Sequence, residues 1–116
     1  MLTMESKMIS RAEGKIDYSV SGNGIPVMLV HGFGEDKSIW NDAPQVLTSC
    51  KLIIPNLPGT GNSSLPPGTP ALESLAKALK IILDEEDHSS VIMIGHSMGG
   101  YTMLAFAEAF PAMVSN

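Results

Sequence analysis

Ser97 is the residue whose setting most directly suggests chemistry. It lies in Val91-Ile92-Met93-Ile94-Gly95-His96-Ser97-Met98-Gly99-Gly100-Tyr101, an apolar run that breaks at a glycine, presents one hydroxyl and continues as helix-forming sequence. Four apolar residues bounded by a turn signal, Val91 to Ile94, suit a strand buried on both faces. Glycines two residues before and after the serine remove side chains that would collide in a turn tight enough to push the hydroxyl out at the end of a sheet. A serine so presented could be a nucleophile for acyl transfer, which needs a base to take its proton and a carboxylate to orient that base. The plainer alternative, a serine capping the following helix, requires neither glycine.

Three histidines accompany it. His31 opens His31-Gly32-Phe33-Gly34, directly after the apolar run Ile25 to Val30. His96 lies inside the turn itself and is expected to pack beside the serine. His88 closes the polar stretch Asp84-Glu85-Glu86-Asp87-His88, which opposes the dipole of a preceding helix and reads as a frayed, solvated terminus with His88 on the surface. After Ser97 the sequence contains one acidic residue, Glu108, and no histidine.

The elements that would position these residues alternate between strand and helix. Residues 7–20 read as a hairpin: Lys7 to Ser10, a turn at Ala12-Glu13-Gly14, then Lys15 to Val20, with Ile16, Tyr18 and Val20 facing one way and polar neighbours the other, as at a sheet edge. Ser21-Gly22-Asn23-Gly24 is a turn; without a following Gly-Lys-Ser/Thr or helix it is no phosphate loop. Ile25 to Val30 is a buried strand, with Pro26 tolerable only near its start. Ser38 to Cys50 holds Trp40, read as core, and a short helix capped by Asp42 with Pro44 in its first turn. Lys51 to Pro55 is a third buried strand. Beyond a loop over 64–70, Thr69-Pro70 marks a helix start, and Leu72, Leu75, Leu79 and Ile82 recur at helical spacing with Glu73, Lys77 and Lys80 opposite. Met98 to Phe110 is apolar on nearly every face and is expected to be a buried helix that Pro111 stops.

Composition bounds the partners. A net charge of −5 and scattered basic residues give no footprint for nucleic acid or an anionic membrane surface. No apolar stretch approaches the 18 or so residues that span a bilayer, and no signal peptide is read at the start. Cys50 has no second cysteine to pair with and reads as a small core residue, a weak pointer to the cytoplasm. No metal or cofactor is expected. With 116 residues, 44% of them hydrophobic, one α/β domain is expected, with right-handed crossovers and a parallel core.

Gly95-His96-Ser97-Met98-Gly99, extended by Gly100, resembles the nucleophile elbow of the α/β-hydrolase superfamily, in its serine branch. The resemblance covers the chain from end to end but corresponds to the N-terminal half of a typical member, the 1–116 stretch forming a single partial domain with a mostly parallel sheet and flanking helices. It implies Ser97 as nucleophile and the backbone N–H groups of Phe33 and Met98 as oxyanion donors, supported by Gly32, Gly34, Gly95, Gly99 and Gly100. It further implies that His31 braces its loop and is not the base. Asn56-Leu57-Pro58-Gly59-Thr60-Gly61-Asn62-Ser63 is similar to a turn of that family that begins with aspartate, so Asn56 keeps an acceptor and loses a charge.

In that family acid and base follow the serine, so the triad acid and histidine are absent from this chain. The expectation is a fragment of a longer hydrolase acting on a small ester or acyl substrate, inactive alone. Its alternatives are a noncatalytic or complementation-dependent module, and a parent that performs cofactor-free perhydrolysis or C–C bond hydrolysis on the same scaffold. Ending after the elbow helix would leave the Val91–Ile94 edge open to pairing with another chain.

Overall fold

The computed structural model describes residues 4–11, 14–64 and 72–115. Five strands, β1 (Met4–Arg11), β2 (Gly14–Ser21), β3 (Ile25–Val30), β4 (Cys50–Pro55) and β5 (Ile92–Gly95), form one sheet in the order β1-β2-β4-β3-β5. The hairpin strands pair antiparallel to each other and β2 antiparallel to β4, while β3 pairs parallel with both β4 and β5. The sheet is therefore mixed, with a parallel unit that ends where the chemistry is expected. Among the described residues three α-helices accompany it, α1 (Ala43–Val46), α2 (Leu72–Glu85) and α3 (Met98–Ala109). The hairpin turn at residues 12–13 and the helix start expected at Thr69-Pro70 lie outside the described residues. No helix among the described residues is long and apolar enough to cross a membrane.

The period-2 alternation of a strand sorts its residues to opposite faces, and the apolar runs of β3 and β4 show it directly. Met28, Val30 and Ile53 pack with Leu79, Ile82, Leu83 and Phe106 of α2 and α3. Their neighbours Val27, Leu29, Leu52 and Ile54 form a second core on the other face, covered by Trp40, Ala43 and Leu47. Both faces are dry along Val27–Val30 and Leu52–Ile54, so these stretches are continuously apolar instead of alternating.

Several local expectations change. In β2 not only Ile16 and Tyr18 but also Asp17 and Ser19 are buried, because β2 lies between β1 and β4; β1 is the edge. Asp42 makes no side-chain cap; the capping carboxylate is Asp36, which accepts the Ser38 N–H at 2.8 Å and starts the 3-10 turn over Lys37–Trp40. Helix α3 is not enclosed: it packs on α2 and β5, and Tyr101 and Leu104 on its far side are 63% and 66% exposed. The β5 edge is partly occupied, since the Val91 N–H donates to the Met113 carbonyl and the Ser115 N–H to that of Val91, a parallel bridge of Val91 to Val114. Ile94 remains exposed at that edge.

The acidic end of α2 is ordered, not frayed. Asp87 takes a left-handed φ of 60°, its N–H bonds the Asp84 carbonyl and that of His88 bonds the Leu83 carbonyl, the paired bonds of a Schellman cap. Immediately before it, the Glu86 side chain is 6% exposed and accepts from the Tyr18 hydroxyl at 2.6 Å, from Lys7 at 2.9 Å and from Lys51 at 2.9 Å. One carboxylate thus joins α2 to β1, β2 and β4. His88 is half-buried, with its Nε2 out of water and without a partner; burial and then Lys51 depress its proton affinity.

Burial pushes the Glu86 carboxyl up, but the hydrogen bonds from Tyr18, Lys51 and Lys7 outweigh it and hold it at about 2. A depressed carboxylate stabilises the fold above its unfolded value, about 4.3 for glutamate, and loses that contribution as pH falls toward the folded value. Glu86→Gln is expected to lower stability at pH 7 by about 3 kcal/mol in urea unfolding, with the difference shrinking between about pH 4.5 and about pH 2. A wild-type-minus-variant difference that stays constant over that range would remove the carboxylate from this role.

Candidate active site

The C-terminal ends of β3 and β5 feed the two segments in question. β3 runs into His31-Gly32-Phe33-Gly34, and β5 into His96-Ser97 before α3 begins at Met98. The segments are tied by backbone: the His96 N–H donates to the Val30 carbonyl at 3.0 Å. Ser97 sits at φ 55°, ψ −121°, a conformation L-residues rarely adopt, and its hydroxyl makes no capping bond to α3. The capping alternative is therefore excluded, and the strain marks a position the surrounding structure over-determines.

The glycines around Ser97 differ in what they do. A Cβ on Gly95 would fall 2.7 Å from the Gly99 backbone, and one on Gly99 would press on the Val30 and His31 carbonyl oxygens, the latter at 2.8 Å. A Cβ on Gly32 would meet the His96 carbonyl oxygen at 2.9 Å and Ser97 Cβ at 3.0 Å. Gly99 and Gly32 permit the two segments to touch, while Gly95 lets the turn fold back onto the start of α3. Gly34 has open space around it but a φ of 77°, so its glycine serves conformation. Gly100 has neither constraint; no steric reason for a glycine exists there.

His31 is buried at 1% exposure, and both ring nitrogens are engaged. The Leu57 N–H donates to Nε2 at 3.0 Å, which places the ring proton on Nδ1, 2.9 Å from the Gly32 carbonyl. The imidazole thus joins its own loop to the turn after β4, where the Thr60 hydroxyl also donates to the Leu57 carbonyl. His96 points elsewhere than its expected packing beside the serine: its ring is exposed, and Nδ1 lies 3.0 Å from Glu35 Oε1. That same oxygen accepts the Gly32 N–H at 2.7 Å, and the bonds from His96 and Gly32 hold the Glu35 carboxyl below its ordinary range.

Asn56 is buried, accepts the Lys37 N–H at 2.7 Å and donates from Nδ2 to Asp17 Oδ2 at 2.7 Å. The charge lacking at position 56 stands on Asp17, whose other oxygen pairs with Lys37 at 3.0 Å. Asparagine is the residue that fits there, because a carboxylate would face a second carboxylate at hydrogen-bonding distance.

Phe33, Ser97, Met98 and Tyr101 line one open depression, with Phe33 86% exposed. Among the described residues neither the Phe33 nor the Met98 N–H donates to a protein acceptor, and no imidazole or carboxylate is hydrogen-bonded to the Ser97 hydroxyl. No group of three or more His, Cys, Asp or Glu among them is arranged to hold a metal ion. Glu35, Asp17 and Glu86 escape a reading of motifs. Glu35 had one legible signal, its position three residues after Gly32, within reach of that backbone N–H across a turn.

Residues 25–116 match the family model described as alpha/beta hydrolase fold, and the chain belongs to that family. It is 35% identical over 118 residues to Lipase 1 of Psychrobacter immobilis, covering 97% of this chain and 37% of that protein. It is 33% identical over 120 residues to 2-hydroxy-6-oxononadienedioate/2-hydroxy-6-oxononatrienedioate hydrolase 1 of Dechloromonas aromatica, covering 94% and 42%. Among solved structures, a thermophilic esterase from Thermogutta terrifontis superposes with a TM-score of 0.82 at 30% identity, over 95% of this chain and 43% of the esterase. The chain spans between 25% and 42% of the length of the first curated relatives it matches.

The glycine geometry separates two adjacent substitutions. Gly99→Ala is expected to destabilise the fold by about 1–3 kcal/mol, because its methyl meets backbone that cannot yield. Gly100→Ala is expected to be neutral or to stabilise by up to about 1 kcal/mol through helix propensity. Thermal unfolding of the two variants checks this; equal effects would contradict the close approach at Gly99.

Proposed function

We propose that this chain is the nucleophile-bearing part of a serine hydrolase that cleaves a small ester or related acyl substrate through Ser97. The observation that carries the reading is the Ser97 backbone at φ 55°, with an uncapped hydroxyl on the same depression as two N–H groups that lack protein acceptors among the described residues. In this reading the Ser97 oxygen attacks the substrate carbonyl carbon, and the carbonyl oxygen becomes an oxyanion that receives hydrogen bonds from the Phe33 and Met98 N–H groups. One such donor is worth about 2.7–4 kcal/mol of transition-state stabilisation. The serine proton needs an imidazole, and the imidazole a carboxylate; both would come from a segment outside these 116 residues, which fits the share of the relatives' length that this chain spans. The edge of β5, seeded by the Val91–Val114 bridge, is where further strands of such a segment would join.

The lipase similarity supports ester chemistry. The comparable similarity to the 2-hydroxy-6-oxononadienedioate hydrolase supports a second reading, C–C bond hydrolysis at the same serine.

The encoding DNA beyond the codon for Asn116 is expected to continue in frame and to supply an acid and then a histidine. The product of that frame should hydrolyse p-nitrophenyl acetate, with Ser97→Ala lowering kcat by at least about 10³-fold and the 116-residue chain alone showing negligible turnover. Undiminished activity in Ser97→Ala would overturn the proposal. Rapid Ser97-dependent turnover by the short chain would overturn the claim that acid and base lie outside it. Cleavage of a 2-hydroxy-6-oxodienoate in preference to the ester would favour the second reading.

A further inference from the structure

We propose that Glu35 is a positioning residue of this site, a clamp whose one carboxylate oxygen holds the Phe33 segment against the Ser97 turn. The inference rests on the reading of the Phe33 and Met98 N–H groups as oxyanion donors. Those donors follow different strands, Phe33 after β3 and Met98 after β5, and an oxyanion hole works only when both lie about 2.7–3.1 Å from one oxygen position. A displacement of about 1 Å in such a site can cost 10²-fold.

The Phe33 segment is held on one side by His31, whose Nδ1–H donates to the Gly32 carbonyl at 2.9 Å, but that bond does not reach the Ser97 turn. Gly32 and Gly34 flank Phe33 without side-chain restraint, and the turn across them is closed by a Glu35 N–H to Gly32 carbonyl bond of 3.2 Å. Glu35 Oε1 supplies what the backbone lacks. It accepts the N–H of Gly32, one residue before Phe33, at 2.7 Å, and it meets Nδ1 of His96, one residue before Ser97, at 3.0 Å. A single acceptor atom therefore joins its own loop to a turn whose His96 lies 61 positions further along the sequence. The ionised carboxylate suits this task, since charge-assisted bonds are shorter and stronger than neutral ones. It also gives His96 a task distinct from that of a general base: its ring is directed at the clamp.

The test uses the 116-residue chain and two readouts, only one of which depends on Ser97 being a nucleophile. In amide exchange followed by 15N NMR, Glu35→Ala is expected to reduce protection of Gly32 and Phe33 by at least about 10-fold while β3 and β5 stay protected, and Glu35→Gln, which keeps an acceptor, is expected to restore it. Fluorophosphonate labelling of Ser97, followed by intact mass, reads the residual transition-state stabilisation that survives without a base. Its rate is expected to fall about 10-fold or more in Glu35→Ala, to recover in Glu35→Gln, and to fall in His96→Ala with Gly32 protection retained; Ser97→Ala is the blank. Unchanged Gly32 exchange in Glu35→Ala, or unchanged labelling against a clean blank, overturns the clamp. Should Glu35→Ala fail to fold, the exposed His96→Ala decides, and wild-type labelling in it overturns the proposal. Wild-type labelling no faster than the blank would show that Ser97 does not react without the base outside this chain, and the exchange data then decide the clamp alone.

Discussion

The backbone of Gly99 lies against the carbonyl oxygens of Val30 and His31 with no room for a side chain between them. From that contact the geometry of the site follows. It brings the first turn of α3 onto the end of β3, which sets Ser97 beside Gly32 and leaves the serine backbone no ordinary conformation to occupy. The cost of a left-handed serine, of the order of 1–3 kcal/mol, is offset by the two cores on either side of the sheet.

Charge around the site is arranged in pairs and hubs of different ranges. Lys37, Asp17 and Asn56 fix the turn after β4, and His31 links that turn to the loop after β3. Each of these groups is buried or half-buried with its hydrogen bonds met, the condition under which polar groups can be removed from water without a large penalty. The relatives that share this scaffold are named as a lipase and as a 2-hydroxy-6-oxononadienedioate hydrolase, and a shared framework of loop, turn and brace does not by itself choose a substrate.

Much of the fold was legible because its signals are local. The apolar runs of β3, β4 and β5 and the glycine spacing about Ser97 locate the strands and the turn within a residue or two. What escaped reading depends on who the neighbour is. Asp84 to His88 has the composition of a solvated end, and only the docking of β1, β2 and β4 converts Glu86 into a buried acceptor. Helix α3 has the composition of an enclosed helix, yet enclosure needs elements on both sides and the described residues supply one. Gly100 illustrates the limit of motif spacing, since it stands in a glycine pair of which only Gly99 is sterically required.

The Glu86 hub also bears on how the chain reaches this structure. Its partners Lys7, Tyr18 and Lys51 lie before it in sequence, the first 79 positions away, so the hub cannot close until α2 has formed and the hairpin has come to the sheet. The β1–β2 hairpin can pair early by local contacts, but β2 must then insert beside β4 and not beside β3, the strand that follows it in sequence. Contacts of such separation require loop closure before they return any stabilisation, which places this topology among slow folders. Until that step, two lysines and a tyrosine wait without their common acceptor, and the hairpin remains an undocked two-stranded ribbon that is marginal by itself.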